Sequence, residues 1–134
     1  MIPIVLDTNV LISGLISKEG APGKILDLVL QREIILCLDR RIIDEYRRIV
    51  SKPELKINKE EADWVLDFIL DQSLMVESEP ISINLPDPDD LRFIEVAIKA
   101  KTIIVTGNKR HFPAHAINKN RVLSPAEFMG LIAK

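Results

Sequence analysis

The sequence predicts an α/β protein, a three-layer α/β/α arrangement around a central parallel sheet of four to five strands. Short, continuously apolar runs, which are typical of buried strands, alternate along the chain with longer segments whose apolar residues recur at helical spacing. Strands that alternate with helices are usually parallel and joined by crossover helices. Because 134 residues is a common length for one domain, we expect a single domain over residues 1–134.

The predicted elements follow one another in a simple order. Apolar runs predict strands at residues 2–6, 34–38, 74–76 and 102–106, with a weaker one at 121–123. Helical spacing predicts helices at residues 22–32, 40–50, 59–72 and 88–100, and a last helix that begins after Ser124.

Polar residues mark several helix starts. Asn58 and Ser124 are each followed three residues later by a glutamate, which is the spacing of a capping box. Asp87 precedes Pro88 and two further aspartates in a similar way. Helix capping is therefore one interpretation of this acidic segment.

The composition excludes several classes of protein. With 47% hydrophobic and 28% charged residues, the chain is neither a disordered tail nor a fibrous protein. No apolar run reaches the roughly 18–20 residues of a membrane span, and the start has no secretory leader, so we expect a cytoplasmic protein. The single cysteine, Cys37, lies in an apolar run and is expected to pack as a small hydrophobic residue.

The net charge of −2 conceals a separation of charge along the chain. Residues 60–91 include ten acids and no lysine or arginine, whereas residues 96–126 include six lysines or arginines, two histidines and no acid. Solvated faces explain such blocks, and so does an acidic wall that holds cations beside a basic strip that holds a polyanion.

Three acidic residues are candidates for one shared site. Asp7 ends the first predicted strand, where ligands gather in parallel sheets, although an aspartate there is often a turn former or a helix cap. Glu45 lies at the edge of the inward face of the helix at 40–50, where a surface acid is the other interpretation. Asp90 lies at the amino end of the apolar stripe of the helix at 88–100.

Three carboxylates at one point repel one another by several kcal/mol per pair, so such a cluster requires a cation. Oxygen ligands, without cysteine or histidine at zinc-like spacing, favour Mg²⁺ or Mn²⁺. Hydrolysis of a phosphodiester bond by water activated on the ion is the reaction that fits such a site.

Five segments of the chain, in order, carry a resemblance to a known family: residues 6–13 (LDTNVLIS), 43–46 (IDEY), 87–97 (DPDDLRFIEVA), 104–108 (IVTGN) and 123–128 (LSPAEF). With them the sequence resembles, over nearly its whole length, the PIN domain family of metal-dependent ribonucleases. That family includes many toxins of toxin–antitoxin pairs. The resemblance implies a PIN-like domain and an endoribonuclease that uses Mg²⁺ or Mn²⁺ to cleave RNA. It also implies a homodimer and a small antitoxin protein as partner.

By this resemblance Asp7, Glu45 and Asp90 are the acidic, catalytic metal ligands. The residues that it implies as supports of the site are Thr8, Asn9, Ser13 and Thr106.

The sequence departs from the family pattern after the fourth predicted strand. Asn108 stands where a fourth acid usually follows, and Arg110 stands where another acid is common. An amide oxygen can ligate a metal, so Asn108 stays a candidate ligand, but it adds no charge and cannot act as a base. This departure favours the alternative of a catalytically weak or inactive RNA- or protein-binding domain.

Two further surfaces have open interpretations. Lys109, Arg110 and His111 follow the fourth strand, where they are predicted to contact RNA phosphates or else to form a solvated loop. Trp64 and Phe68 share one face of a helix and, with Leu70, offer a dimer interface, although burial in the core is the interpretation that we favour.

A third functional class, a small phosphatase or nucleotide-binding domain, fits least well. The five glycines are scattered and form no phosphate-binding loop. Asn9 also stands where an Asp-x-Asp nucleophile pair requires its second acid.

Overall fold

The computed structural model describes residues 1–118 and 121–133, and its central feature is a five-stranded parallel sheet in the order β3-β2-β1-β4-β5. The strands are β1 (Ile2–Leu6), β2 (Ile34–Leu38), β3 (Leu74–Met75), β4 (Ile103–Val105) and β5 (Val122–Leu123). The helices are α1 (Thr8–Ile16), α2 (Ala21–Leu30), α3 (Arg40–Val50), α4 (Lys59–Gln72), α5 (Leu91–Ala100) and α6 (Pro125–Ile132). Short 3-10 helices cover Pro53–Leu55, Pro88–Asp90 and Lys109–His111.

Helices lie on both faces of the sheet, which confirms the predicted three-layer α/β/α class. α2 packs against α1, α4 and α6, while α5 packs on β1, β2 and β4. The chain moves outward from β1 to β2 and β3, and then returns across β1 to reach β4. Because crossovers between parallel strands are right-handed, this return places α5 on the face opposite α2.

The predicted elements agree with the structure to within a few residues, with two exceptions. The predicted helix at 88–100 is divided into the 3-10 helix Pro88–Asp90 and α5. α1 was not predicted, because six of its nine residues are buried and its apolar residues therefore show little helical spacing.

The predicted helix caps are confirmed. The Asn58 side chain accepts a hydrogen bond from the Glu61 backbone nitrogen at 2.9 Å. Ser124 and Glu127 form a capping box, with both reciprocal hydrogen bonds present. These bonds satisfy backbone donors that a helix start leaves unpaired.

The core consists of the central strands and the inward faces of the helices. Cys37 is buried in it, as predicted. The favoured core placement of Trp64 is wrong, because its side chain is 60% exposed and stacks on the half-buried Phe68 with ring centroids 5.8 Å apart. Leu70 is exposed as well. α4 buries Val65, Leu66 and Ile69 instead, so Trp64 faces away from the sheet.

No helix in the described part of the chain is long and apolar enough to cross a membrane.

Two glycines allow close backbone approaches, Gly14 between α1 and α2 and Gly23 between α2 and the loop that precedes it. A Cβ atom added at Gly23 would lie 2.3 Å from the Lys18 carbonyl oxygen, and one added at Gly14 would lie 2.8 Å from the Pro22 carbonyl oxygen. The neighbouring atoms are backbone and cannot rotate away. Glycine at these positions therefore allows α1, α2 and the loop between them to pack tightly together.

Replacing Gly23 with alanine is expected to lower the free energy of unfolding by about 1–3 kcal/mol, because the new Cβ overpacks a backbone contact. Gly130→Ala is the matched control: an added Cβ on α6 meets nothing within 4 Å, and alanine favours a helix by up to about 1 kcal/mol. Urea denaturation followed by circular dichroism measures both effects. Equal effects of the two substitutions would contradict the close approach of Gly23 to the Lys18 backbone.

Candidate active site

The topology creates a crevice at the carboxyl ends of β1 and β4. The order of the strands reverses at this point, because β2 and β3 lie on one side of β1 and β4 and β5 on the other. Open parallel sheets bind their ligands at such switch points. Asp7 follows β1 directly and Thr106 follows β4 directly, so both reach the crevice.

Asp7 is buried, with 5% of the residue exposed. It occupies the N-cap position of α1, yet its side chain makes no capping hydrogen bond. Its carboxylate instead accepts a hydrogen bond from the Thr106 hydroxyl at 2.6 Å. Burial raises the pKa of Asp7 and so does the charge of Glu45, while the Thr106 hydroxyl opposes both effects. The interpretation of Asp7 as only a helix cap is therefore wrong.

Glu45 enters the crevice from α3. Its carboxylate accepts a hydrogen bond from the Thr8 hydroxyl at the start of α1, and a second contact at 3.4 Å joins it to the Arg92 guanidinium. The next residue, Tyr46, is fully buried and donates from its hydroxyl to the Leu6 carbonyl at 2.5 Å. This bond ties α3 to the end of β1 and thereby sets the position of Glu45 relative to the crevice.

Asp90 enters the crevice from the junction between the 3-10 helix Pro88–Asp90 and α5. The residue is buried, and its carboxylate contacts His111 Nδ1 at 3.0 Å. Burial, together with the charges of Asp7 and Asp87, raises the pKa of Asp90 to about 7, while His111 opposes this rise. These charge effects show that Asp90 lies near Asp7.

The acidic segment around Asp90 has a mixed role. The Asp87 side chain accepts a hydrogen bond from the Asp89 backbone nitrogen at 3.0 Å, which confirms Asp87 as a cap. Asp89 is exposed and contacts Arg92 at 3.6 Å. Arg92 therefore bridges Asp89 and Glu45 at the edge of the crevice, a role that the sequence analysis missed. The spacing of three residues from Asp89 to Arg92 on a helix start was the only available signal.

The predicted supporting residues divide into two groups. The Thr8 and Thr106 hydroxyls donate to Glu45 and Asp7, respectively. Asn9 and Ser13 have exposed side chains on α1, and neither hydrogen-bonds to Asp7 within residues 1–118 and 121–133.

The segment after β4 places its residues in different directions. The Asn108 backbone nitrogen donates to the Thr106 hydroxyl at 3.0 Å, and its side-chain amide nitrogen lies 3.0 Å from His111 Nε2. His111 thus contacts both Asn108 and Asp90, whereas the sequence grouped it with Lys109 and Arg110 as residues predicted to contact phosphate. Its separation of 21 residues from Asp90 gave no indication of their contact.

Lys109 and Arg110 are exposed beside the crevice. Lys109 forms an ion pair with Glu127 at 2.9 Å. Together with Phe112, Pro113, Ala114 and Val122, the two basic residues line a surface cavity of about 340 Å³.

The donor set of the crevice fits a divalent cation. One donor atom from each of Asp87, Asp90 and His111 lies within 4.8 Å of the other two. Carboxylate oxygens are ligands suited to Mg²⁺ and Mn²⁺, and imidazole nitrogen suits transition metals. A positive ion would also oppose the repulsion that raises the pKa values of Asp7 and Asp90.

The fold and the crevice together define an α/β protein with a carboxylate-rich site at the switch point of a parallel sheet. A family model described as PIN domain matches residues 3–110, so the chain belongs to the PIN domain family, whose members are generally nucleases. The chain is also 35% identical over 111 residues to an uncharacterized protein of Methanocaldococcus jannaschii, an alignment that covers 81% of this chain and 72% of the relative. No solved structure matches the chain.

The buried carboxylates predict a pH dependence of stability in the absence of metal. Because Asp90 has an ordinary pKa of 3.8 when unfolded and about 7 when folded, the folded state holds a proton that the unfolded state has lost between these values. The free energy of unfolding therefore falls as the pH rises from 4 to 7. We expect Asp90→Asn to reduce this fall by about 1–2 kcal/mol, a value lowered for partial solvation of the site.

Urea denaturation in the presence of a chelator at pH 5 and pH 7 measures this difference. Asp63→Asn, which removes an exposed acid on α4, is the control and should keep the pH dependence of the unsubstituted protein. If Asp90→Asn keeps the full pH dependence as well, the conclusion that the pKa of Asp90 is raised is refuted.

Proposed function

We propose that this protein is a metal-dependent endoribonuclease that hydrolyses RNA phosphodiester bonds. The observation that carries the proposal is the placement of Asp7 and Asp90, from separate elements, at the switch-point crevice, with Glu45 near enough to raise the pKa of Asp7. Asp7 and Asp90 are both buried there, with their pKa values raised. Buried carboxylates that repel one another lower the stability of a fold when no positive charge compensates them. Carboxylates with pKa values perturbed in this way concentrate at functional sites.

The proposed role of these acids is to hold Mg²⁺ or Mn²⁺. Asp7 and Asp90 supply buried oxygen donors, and Glu45 supplies a third from α3. The Thr106 and Thr8 hydroxyls orient the Asp7 and Glu45 carboxylates. A divalent ion bound there supplies Lewis acidity, which activates water and neutralises charge on the scissile phosphate.

The surroundings of the crevice support a polyanionic substrate. Lys109 and Arg110 lie beside the carboxylates and line one open cavity, so a strand of RNA along this cavity would meet positive charge next to the acidic site. Arg92 adds a cation at the edge of the acids. Base recognition through stacking has little support, because aromatic residues make up 4% of the chain.

The central test is cleavage of end-labelled RNA in Mg²⁺, in Mn²⁺ and in chelator. Asp7→Asn removes one ligand charge with almost no change in volume and is expected to lower the cleavage rate by at least about 100-fold. Asp63→Asn is the matched control, since it removes the same charge from an exposed position on α4. A contaminating nuclease would cleave equally in both preparations.

If the unsubstituted protein cleaves no RNA in either Mg²⁺ or Mn²⁺, the proposal is contradicted. It would favour the alternative of a PIN domain that binds RNA or protein without efficient catalysis. The observation behind this alternative is Asn108, which occupies the position of a fourth acid and whose amide faces His111. RNA binding in the absence of cleavage is then the measurement that distinguishes the two functions.

The contribution of the basic residues after β4, Lys109 and Arg110, is tested separately by measuring RNA binding. Arg110→Ala is expected to weaken RNA binding about equally for different RNA sequences and to reduce the magnitude of the salt slope by about 1. Lys99→Ala, at the end of α5 that leads into the amino end of β4, is the control of equal charge. Fluorescence anisotropy across a salt series measures the slope. An unchanged slope for Arg110→Ala would show that Arg110 does not contact RNA phosphates.

The homodimer, the antitoxin partner and the cytoplasmic location stay predictions from the sequence. A role as toxin depends on a partner that the chain itself does not specify. Trp64 and Leu70, exposed on α4, are the apolar residues that we propose for a subunit interface.

A further inference from the structure

The His111 ring lies between the Asp90 carboxylate and the Asn108 side-chain amide. Its Nδ1 atom lies 3.0 Å from an Asp90 carboxylate oxygen, and its Nε2 atom lies 3.0 Å from the side-chain amide of Asn108. The imidazole is half-buried, with 34% of the side chain exposed. Both ring nitrogens are therefore engaged with residues of the crevice, while the neighbouring Lys109 and Arg110 are exposed and Lys109 pairs with Glu127.

The spacing of the donor atoms matches neighbouring ligands of one octahedral ion. Two ligands at right angles, each about 2.1 Å from the ion, lie about 3 Å apart. The contact between His111 Nδ1 and Asp90 has this length, and one donor atom from each of Asp87, Asp90 and His111 lies within 4.8 Å of the other two. The distance between His111 and Asp90 is therefore compatible with their binding the same ion.

We propose that His111 is a nitrogen ligand of the divalent ion, beside Asp90 and Asp87, and that Asn108 positions its ring instead of ligating the ion. The inference rests on the proposed metal site, which it completes. It also supplies a metal ligand in place of the fourth acid that Asn108 lacks. His111 lies just beyond residues 3–110, the segment that the family model matches, so the role is not carried over from that match.

The proposal requires a change of tautomer and an amide rotation. With the Asn108 amide nitrogen facing Nε2, the ring carries its proton on Nδ1 and donates it to Asp90. To hold an ion through Nδ1, the ring would lose the Nδ1 proton to solvent and carry one on Nε2 instead, with no net change in its number of protons. The Asn108 amide would then present its oxygen to the Nε2 proton, which is the usual outer partner of a ligating histidine.

A nitrogen ligand changes which ion the site prefers. Imidazole binds transition metals such as Mn²⁺, whereas Mg²⁺ prefers oxygen donors and retains water. We expect His111→Gln to lower the affinity for Mn²⁺ by at least about tenfold and to change the affinity for Mg²⁺ much less. Isothermal titration calorimetry of the metal-free protein measures both affinities without RNA.

Electron spin echo spectroscopy of the Mn²⁺-loaded protein tests the bond directly, because a coordinated imidazole modulates the echo at nitrogen frequencies. The chain has two histidines, so the assignment is simple once any affinity tag is removed. Labelling with ¹⁵N-histidine should shift the modulation. His115→Ala is the matched control, since His115 is exposed and contacts the Asn84 carbonyl outside the crevice.

Histidine modulation that is present in the unsubstituted protein and in His115→Ala, and absent from His111→Gln, would support the proposal. Absence of the modulation from the unsubstituted protein, or its persistence in His111→Gln, would overturn it. Circular dichroism confirms that each variant is folded. Because the spectra need no substrate, RNA cleavage without nitrogen modulation refutes this inference alone, and nitrogen modulation without cleavage refutes only the proposed nuclease.

Discussion

The burial of the Asp7 carboxylate at the end of β1 is the constraint on which the rest of the site depends. A carboxylate with this little exposure loses much of its hydration, and one hydrogen bond from Thr106 replaces only part of it. The nearby charge of Glu45 increases the cost. Other groups of the crevice compensate for this cost. They are the Thr106 and Thr8 hydroxyls, the Arg92 guanidinium at its edge, and the basic residues Lys109 and Arg110 beside it.

The fold brings these groups together through its strand order. β1 and β4 are parallel neighbours, and their register pairs Leu6 with Val105. The residues that follow them, Asp7 and Thr106, are therefore adjacent although 99 positions separate them. The return crossover through α5 brings Asp90 to the same edge of the sheet. A site built at the ends of packed strands is held rigidly, which favours the fixed ligand positions that metal binding requires.

The charge separation along the sequence has a partial counterpart in space. The acidic residues from α3 and from the start of α5 surround the crevice, and the basic residues after β4 lie directly beside it. Other acids of the same sequence block, such as Asp63 and Asp67, lie exposed on α4, and Asp67 is paired with Arg47 at 3.3 Å. The solvated-face interpretation thus applies to α4, while cation and polyanion binding at the crevice stay predictions.

The sequence by itself determined the strands, most helices, the caps at Asn58 and Ser124, and the position of Asp7 directly after a buried strand. These features are local, since apolar periodicity, cap chemistry and the residue after a strand are visible within a few positions. Only the tertiary structure decided that His111 meets Asp90, that Arg92 reaches Glu45 and that Trp64 faces solvent. Those contacts depend on strand register and helix rotation, which join residues far apart in the chain and leave no periodic signal in it.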